Sequence, residues 1–128
     1  MIIWMGFIFY NSSQTATNSL GMTYYITDFL KSIFGNSIDF ESDLFITLIR
    51  KAAHLTEYFI LGILVSKTAR YNFSSIKNRL LWSFLFCMFY AASDEVHQLF
   101  VDGRSFMITD IIIDSFGAGL ALLLFRKQ

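Results

Sequence analysis

The segment YAASDEVHQLFVDGRSFMITDIIIDSFGAG, residues 90–119, holds many of the chain's ionisable side chains. It begins at the end of one apolar segment, residues 80–93, includes a short polar corner, and ends within a second apolar segment, residues 111–125. Both flanks are apolar enough for lipid, where an ionisable side chain is costly. A cluster of such side chains between two apolar segments therefore predicts a functional site.

The composition predicts a membrane protein with a single domain over residues 1–128. Hydrophobic residues make up 55% of the chain and charged residues 16%, whereas about a quarter of a soluble domain is charged. The formal net charge is +0, and we expect no nucleic-acid partner. The single cysteine, Cys87, excludes an intramolecular disulfide.

Hydropathy and helical spacing predict an all-α fold, a polytopic membrane helical bundle with four transmembrane segments. A short interfacial helix is expected between the first and second segments. The four segments are residues 1–10, 43–67, 80–101 and 106–125, and the interfacial helix is residues 18–34. The first segment spans only about 15 Å, half of a hydrocarbon core. Either its helix continues through Asn11, Ser12 and Ser13, or the natural chain starts earlier.

The distribution of lysine and arginine predicts the orientation in the membrane. The loop at residues 67–79 carries four basic residues and no acidic residue, and the tail carries Arg126 and Lys127. The connection at residues 15–43 carries four acidic residues, among them Glu41. We therefore expect both termini in the cytoplasm and the corner at residues 101–105 outside.

Three helical stripes bring polar side chains to the outer half of the membrane, because residues three or four apart share a helix face. Each stripe continues into small residues deeper in the membrane, and small residues let helices approach closely. The stripes therefore predict one outward-facing polar cluster in the bundle. Its members are Lys51, His54, Glu57, Tyr58, Asp94, Glu95, Gln98, Arg104, Asp110 and Asp114.

Each of these signals has a simpler structural explanation. His54 and Glu57 have the spacing of an ordinary hydrogen-bonded pair, and Asp110 suits the N-terminal dipole of a helix. Glu95 and Asp102 suit a helix end that emerges into water. The occurrence of all these residues on one side of the membrane is what favours a site.

These residues resemble the VanZ-like family of bacterial membrane proteins over nearly the whole chain. The resemblance rests on Trp4 with IFYNSSQ, RKAAHLTEYFILG from residue 50, SDEVHQLFVDGRS from residue 93 and DIIIDSFGAG from residue 110. It implies a single VanZ-like membrane domain, multi-pass in the bacterial cytoplasmic membrane. It also implies a cell-envelope role in low-level resistance to teicoplanin and related lipoglycopeptides.

Two classes of function stay open. In the first, the protein binds membrane lipid and an anionic envelope ligand, a lipoglycopeptide or a lipid-linked precursor, through Lys51, His54 and Arg104. In the second, it is a membrane-embedded enzyme on a lipid or cell-wall precursor. The acids and His54 would then act as general acid and base or hold a divalent metal ion. A proton-coupled transporter is a third interpretation. It is disfavoured because the sequence has no internal repeat. We assign no catalytic residue, metal ligand, cofactor or oligomeric state.

Overall fold

A computed structural model describes residues 1–35, 39 and 42–126 of the chain. Within these residues it contains five α-helices and no strand, so the all-α prediction is confirmed. Glu41 and Lys127, which the orientation prediction used, lie outside the described residues. The helices are α1 (Ile2–Ser12), α2 (Ala16–Phe34), α3 (Asp43–Ala69), α4 (Ile76–Gln98) and α5 (Ile108–Leu124).

Polar residues define several of the helix ends. Helix α1 continues through Asn11 to Ser12, and Ser13 is its C-cap residue. Ser42 caps α3, because its hydroxyl accepts a hydrogen bond from the Phe45 amide at 3.4 Å. Thr15 caps α2 in the same way through the Asn18 amide.

In the part of the chain that the structure describes, every helix is too short or too polar to cross a membrane by itself. The prediction of four transmembrane segments is therefore not supported. Helix α1 has 11 residues and α5 has 17, below the roughly 20 that a hydrocarbon core requires. The longer α3 carries charged residues in its middle, among them Arg50, Lys51 and Glu57.

Helices α3 and α5 pack backbone against backbone. A Cβ atom added to Gly117 would lie 2.5 Å from the carbonyl oxygen of Leu55, and one added to Gly62 would lie 2.8 Å from that of Ala118. Ala121 completes this crossing beside Gly62. The small residues of the two predicted stripes therefore face each other, and they set the distance between the helices.

Small and polar side chains share the interior of the bundle with apolar ones, whereas many of its large apolar side chains are exposed. Ser83, Cys87 and Ala91 follow one buried face of α4, each at most 1% exposed. By contrast, Ile3 is 91% exposed and Phe100 is 83% exposed. A domain surrounded by water usually has the reverse arrangement, with its large apolar side chains inside.

Helix α1 makes hydrogen bonds to two other helices of the bundle. The Trp4 indole donates to the carbonyl oxygen of Glu57 on α3 at 2.9 Å. The Tyr90 hydroxyl on α4 donates to the carbonyl oxygen of Met5 at 2.7 Å. These bonds direct the polar C-terminal end of α1 toward the middle of α3 and the end of α4.

Candidate functional site

A cavity of about 160 Å³ lies where the ends of α1 and α4 meet the middle of α3. Helix α2 and the corner that follows α4 close its remaining sides. The charged and titratable side chains that line it are Arg50, His54, Glu57, Asp94 and Arg104. Four of these five belong to the cluster that the sequence predicts.

The neutral lining comes largely from helices that the sequence did not connect with the site. Asn11 and Ser12 end α1, Gln14 follows them, and α2 contributes Ser19 and Thr23. None of the described residues that line the cavity is aromatic, although aromatic residues make up 18% of the chain. The wall therefore combines charged groups, amides and hydroxyls with aliphatic side chains.

Glu57 is held in place by the polar end of α1. The Asn11 side-chain amide donates to Glu57 Oε1 at 2.7 Å, and the Trp4 indole holds the backbone of the same residue. One carboxylate oxygen of Glu57 therefore has a protein partner before any ligand enters the cavity.

Asp94 is held less tightly than Glu57. It is 3% exposed, and no described group makes a hydrogen bond of normal geometry to either carboxylate oxygen. The side chains of Ser12 and Gln98 lie beside it and interact with its carboxylate, although Ser12 Oγ and Gln98 Nε2 make no hydrogen bond of normal geometry among the described residues. An unsatisfied buried polar group costs about 1–3 kcal/mol, so a lining wall that contains several points to a polar ligand.

Arg104 folds back from the corner over the cavity. Its Nε donates to the carbonyl oxygen of Gln14 at 3.3 Å. Gly103, with φ of 74°, lets the chain reverse there, and the Ala16 amide donates to the Asp102 carbonyl oxygen at 3.2 Å. These contacts fix the corner against the start of α2.

The charge around Arg104 is mixed. Burial lowers the pKa of its guanidinium, and the neighbouring Arg50 lowers that pKa further. Glu95, Asp94 and Asp110 act in the opposite direction. Two guanidinium groups are therefore close enough to repel each other at a cavity whose deeper wall is acidic.

Two pairs of the predicted cluster link α3 to α5. Lys51 Nζ lies 3.0 Å from Asp110 Oδ1 in a partly exposed ion pair. His54 Nδ1 lies 3.7 Å from Oδ1 of Asp114, a residue that is fully buried. Asp110, close to the start of α5, therefore has a basic partner in addition to the helix dipole that the simpler explanation proposed.

The other predicted residues lie around the cavity without lining it. Glu95 Oε2 accepts a hydrogen bond from the Met107 amide at 3.0 Å, just before α5, so its carboxylate closes the corner. Tyr58 is fully buried, and no described group makes a hydrogen bond with its hydroxyl. Of the ten predicted residues, the structure brings four to the cavity wall, and the remaining six are Lys51, Tyr58, Glu95, Gln98, Asp110 and Asp114.

The lining residues that lie outside the cluster predicted from the sequence include Arg50, Asn11, Ser12 and Gln14. Arg50 has a local signal, because it lies four residues before His54 on the same helix face. The other three come from α1 and the turn after it, and only long-range packing brings them here.

The acidic side chains of the predicted cluster contact different groups and do not converge on one point. Among the described residues, no group of three His, Cys, Asp or Glu side chains has an arrangement that could hold a metal ion.

These features define a small all-α bundle with a mixed-charge cavity that is lined in part by an arginine from a corner loop. A family model described as VanZ/LLP1 matches residues 1–127, and the chain therefore belongs to the VanZ/LLP1 family. This match confirms the resemblance found in the sequence. No curated protein and no solved structure matches the chain.

Proposed function

We propose that this protein resides in the bacterial cytoplasmic membrane and binds the charged end of a cell-envelope ligand in its cavity. The observation that carries the proposal is the lining of the cavity, where Arg50, Arg104 and His54 lie together with the buried carboxylate of Asp94. Arginine is well suited to bind carboxylate and phosphate groups through paired hydrogen bonds. Membership of the VanZ/LLP1 family supports an envelope ligand.

The apolar outer surface supports a lipid environment. Ile112, Phe116 and Leu123 on α5 and Phe89 on α4 are each more than 60% exposed. Extensive apolar patches are rare on soluble monomers. The mean hydropathy of a whole helix averages its inward polar residues with its outward apolar residues, but lipid would contact only the outward ones.

The size of the cavity limits what can enter it. Its volume of about 160 Å³ is below the roughly 300–1,000 Å³ of pockets for drug-sized ligands. It holds about five water-sized groups. The proposed ligand is therefore a lipid or lipid-linked envelope precursor that inserts a terminal group, rather than an entire lipoglycopeptide.

The proposed orientation places the corner and the cavity outside the cell and both termini in the cytoplasm. A cysteine at Ser105, with buried Cys87 replaced by serine, should react with an impermeant thiol reagent on whole cells. A cysteine at Ser75 should react only after lysis. Ser105 is the better position for this test than Gly103, whose positive φ and contact with Ala16 would strain a larger residue. The opposite labelling pattern would place the cavity in the cytoplasm.

A substitution at the cavity tests the binding function. Arg104→Gln should abolish any reduction in teicoplanin sensitivity that the wild-type protein confers on a host lacking it. Arg70→Gln, an exposed arginine outside the cavity, is the matched control and should keep the effect. Membrane levels of both variants are measured by immunoblotting. Full activity of a well-expressed Arg104→Gln protein would exclude the role proposed for this guanidinium.

The contact between His54 and Asp114 favours the enzyme as a second candidate. A buried carboxylate beside an imidazole can orient it as a general base, and His54 also lines the cavity. A His54→Ala protein that still binds the ligand but loses the cellular effect would favour the enzyme. Parallel loss of binding would favour the binding protein.

A further inference from the structure

We propose that the cavity takes a phosphate ester of a primary amine, the chemistry of a phosphoethanolamine head group. The guanidinium groups of Arg50 and Arg104 bind the phosphate, and the carboxylate of Asp94 binds the ammonium group. This inference rests on the proposed binding function and deepens it by naming the class of ligand.

The arginine pair supplies the phosphate site. Arg104 uses Nε to hold the Gln14 carbonyl oxygen, and its two terminal nitrogens are the donors that a phosphate would use. Arg50 lies on α3 in the same wall and repels Arg104. An anion that accepts hydrogen bonds from both guanidinium groups relieves this repulsion. It also uses the fork geometry that arginine offers to phosphate.

Asp94 is the acid that remains for a cationic group. Lys51 neutralises Asp110 at 3.0 Å, and Asn11 donates to Glu57 at 2.7 Å. Asp94 lines the cavity, is 97% buried, and receives no hydrogen bond of normal geometry from the described residues. An ammonium group supplies both the donors and the charge that this carboxylate lacks.

The rest of the wall selects a primary amine over a quaternary one. Proteins recognise quaternary ammonium groups with aromatic side chains, and none of the described lining residues is aromatic. A trimethylated amine also has no N–H to donate to Asp94. With room for about five water-sized groups, the cavity suits a phosphate with a short amino alcohol.

The test uses the full-length protein in a phosphate-free detergent and measures binding by calorimetry. The soluble probes are O-phosphoethanolamine, O-phosphocholine and glycerol 3-phosphate. The same protein in nanodiscs is titrated with vesicles rich in phosphatidylethanolamine, phosphatidylcholine or phosphatidylglycerol, which separates a lipid source from a free phosphate ester. We expect O-phosphoethanolamine or its lipid to bind roughly tenfold or more tightly than the other two, the ratio expected from a hydrogen bond between charged groups.

Two substitutions test the ammonium contact and the phosphate contact separately. Asp94→Asn should remove the preference for the primary amine while leaving the binding of glycerol 3-phosphate unchanged. Arg50→Gln should weaken all phosphate probes by roughly tenfold to a hundredfold. Asp28→Asn and Arg70→Gln are exposed matched controls outside the cavity and should bind as the wild type does. Circular dichroism and thermal unfolding verify that each variant is folded.

The outcomes separate this inference from the function on which it rests. Binding of phosphatidylethanolamine but not of the soluble ester supports the inference and identifies a lipid head group as the source. Equal binding of all phosphate esters, unchanged by Asp94→Asn, overturns the inference and leaves the anion-binding function in place. Failure of every probe to bind in both soluble and lipid form overturns both.

Discussion

Helix α3 packs against its neighbours in two nearby places that differ in character, the crossing with α5 and the cavity. At the crossing, Gly117 touches the backbone of Leu55, and the contact buries no unpaired charge. Beside it, His54 faces Asp114 and the cavity opens toward Asp94, where buried polar atoms have no partner among the described residues. Close packing stabilises the fold, whereas unpaired buried charge costs free energy. The difference predicts that substitutions at the crossing and at the cavity have different effects on stability.

The largest effect on stability should come from the crossing. In Gly117→Ala the new Cβ atom would lie 2.5 Å from the Leu55 carbonyl oxygen, and backbone cannot move aside as a flexible side chain can. The helices must separate, and we expect a loss of about 1–3 kcal/mol in the free energy of unfolding. Denaturant unfolding in detergent, followed by circular dichroism, measures it.

Gly119→Ala provides the control on the same helix. Its Cβ atom would lie 3.4 Å from the Phe84 ring, an ordinary contact, and alanine favours a helix by roughly 0.5–1 kcal/mol over glycine. The variant should therefore be at least as stable as the wild type. If both variants lose the same amount of stability, the crossing is not the specific close contact described here.

Much of the fold could be predicted from the sequence because its signals are local. Serine is a favoured N-cap residue, and Ser42 caps α3; the five helices occur in the predicted order. The observed helix boundaries differ from the predicted ones by a few residues. Helix α4 runs Ile76–Gln98 rather than 80–101, because polar residues at its start remain helical. Segment-wide hydropathy also led to the four transmembrane spans, which the lengths and polarity of the described helices do not support.

The candidate site was predicted only in part, because its assembly depends on distant contacts. The pairing of Asn11 with Glu57 joins residues 46 positions apart, and that of Arg104 with Gln14 joins residues 90 apart. Helical spacing describes one helix at a time and contains no information about which helix end reaches another. It identified His54 and Asp94 but not the residues of α1 that surround them.

The smallest expected change in stability is at the cavity, and it separates a functional carboxylate from a structural one. Asp94→Asn keeps the shape of the side chain and removes a charge that no described group compensates by hydrogen bonding. A structural Asp94 within a buried ion pair would cost about 3–5 kcal/mol when its charge is removed, because the partner would stay charged and unpaired. The described residues form no salt bridge with Asp94, and asparagine can keep its contacts with Ser12 and Gln98, so the free energy of unfolding should stay the same or rise by up to about 1 kcal/mol. The measurement is the same detergent unfolding used for the glycine variants, with Asp28→Asn as the exposed control. If Asp94→Asn instead lowers the free energy of unfolding by several kcal/mol, Asp94 stabilises the bundle, as the residues of the helix crossing do.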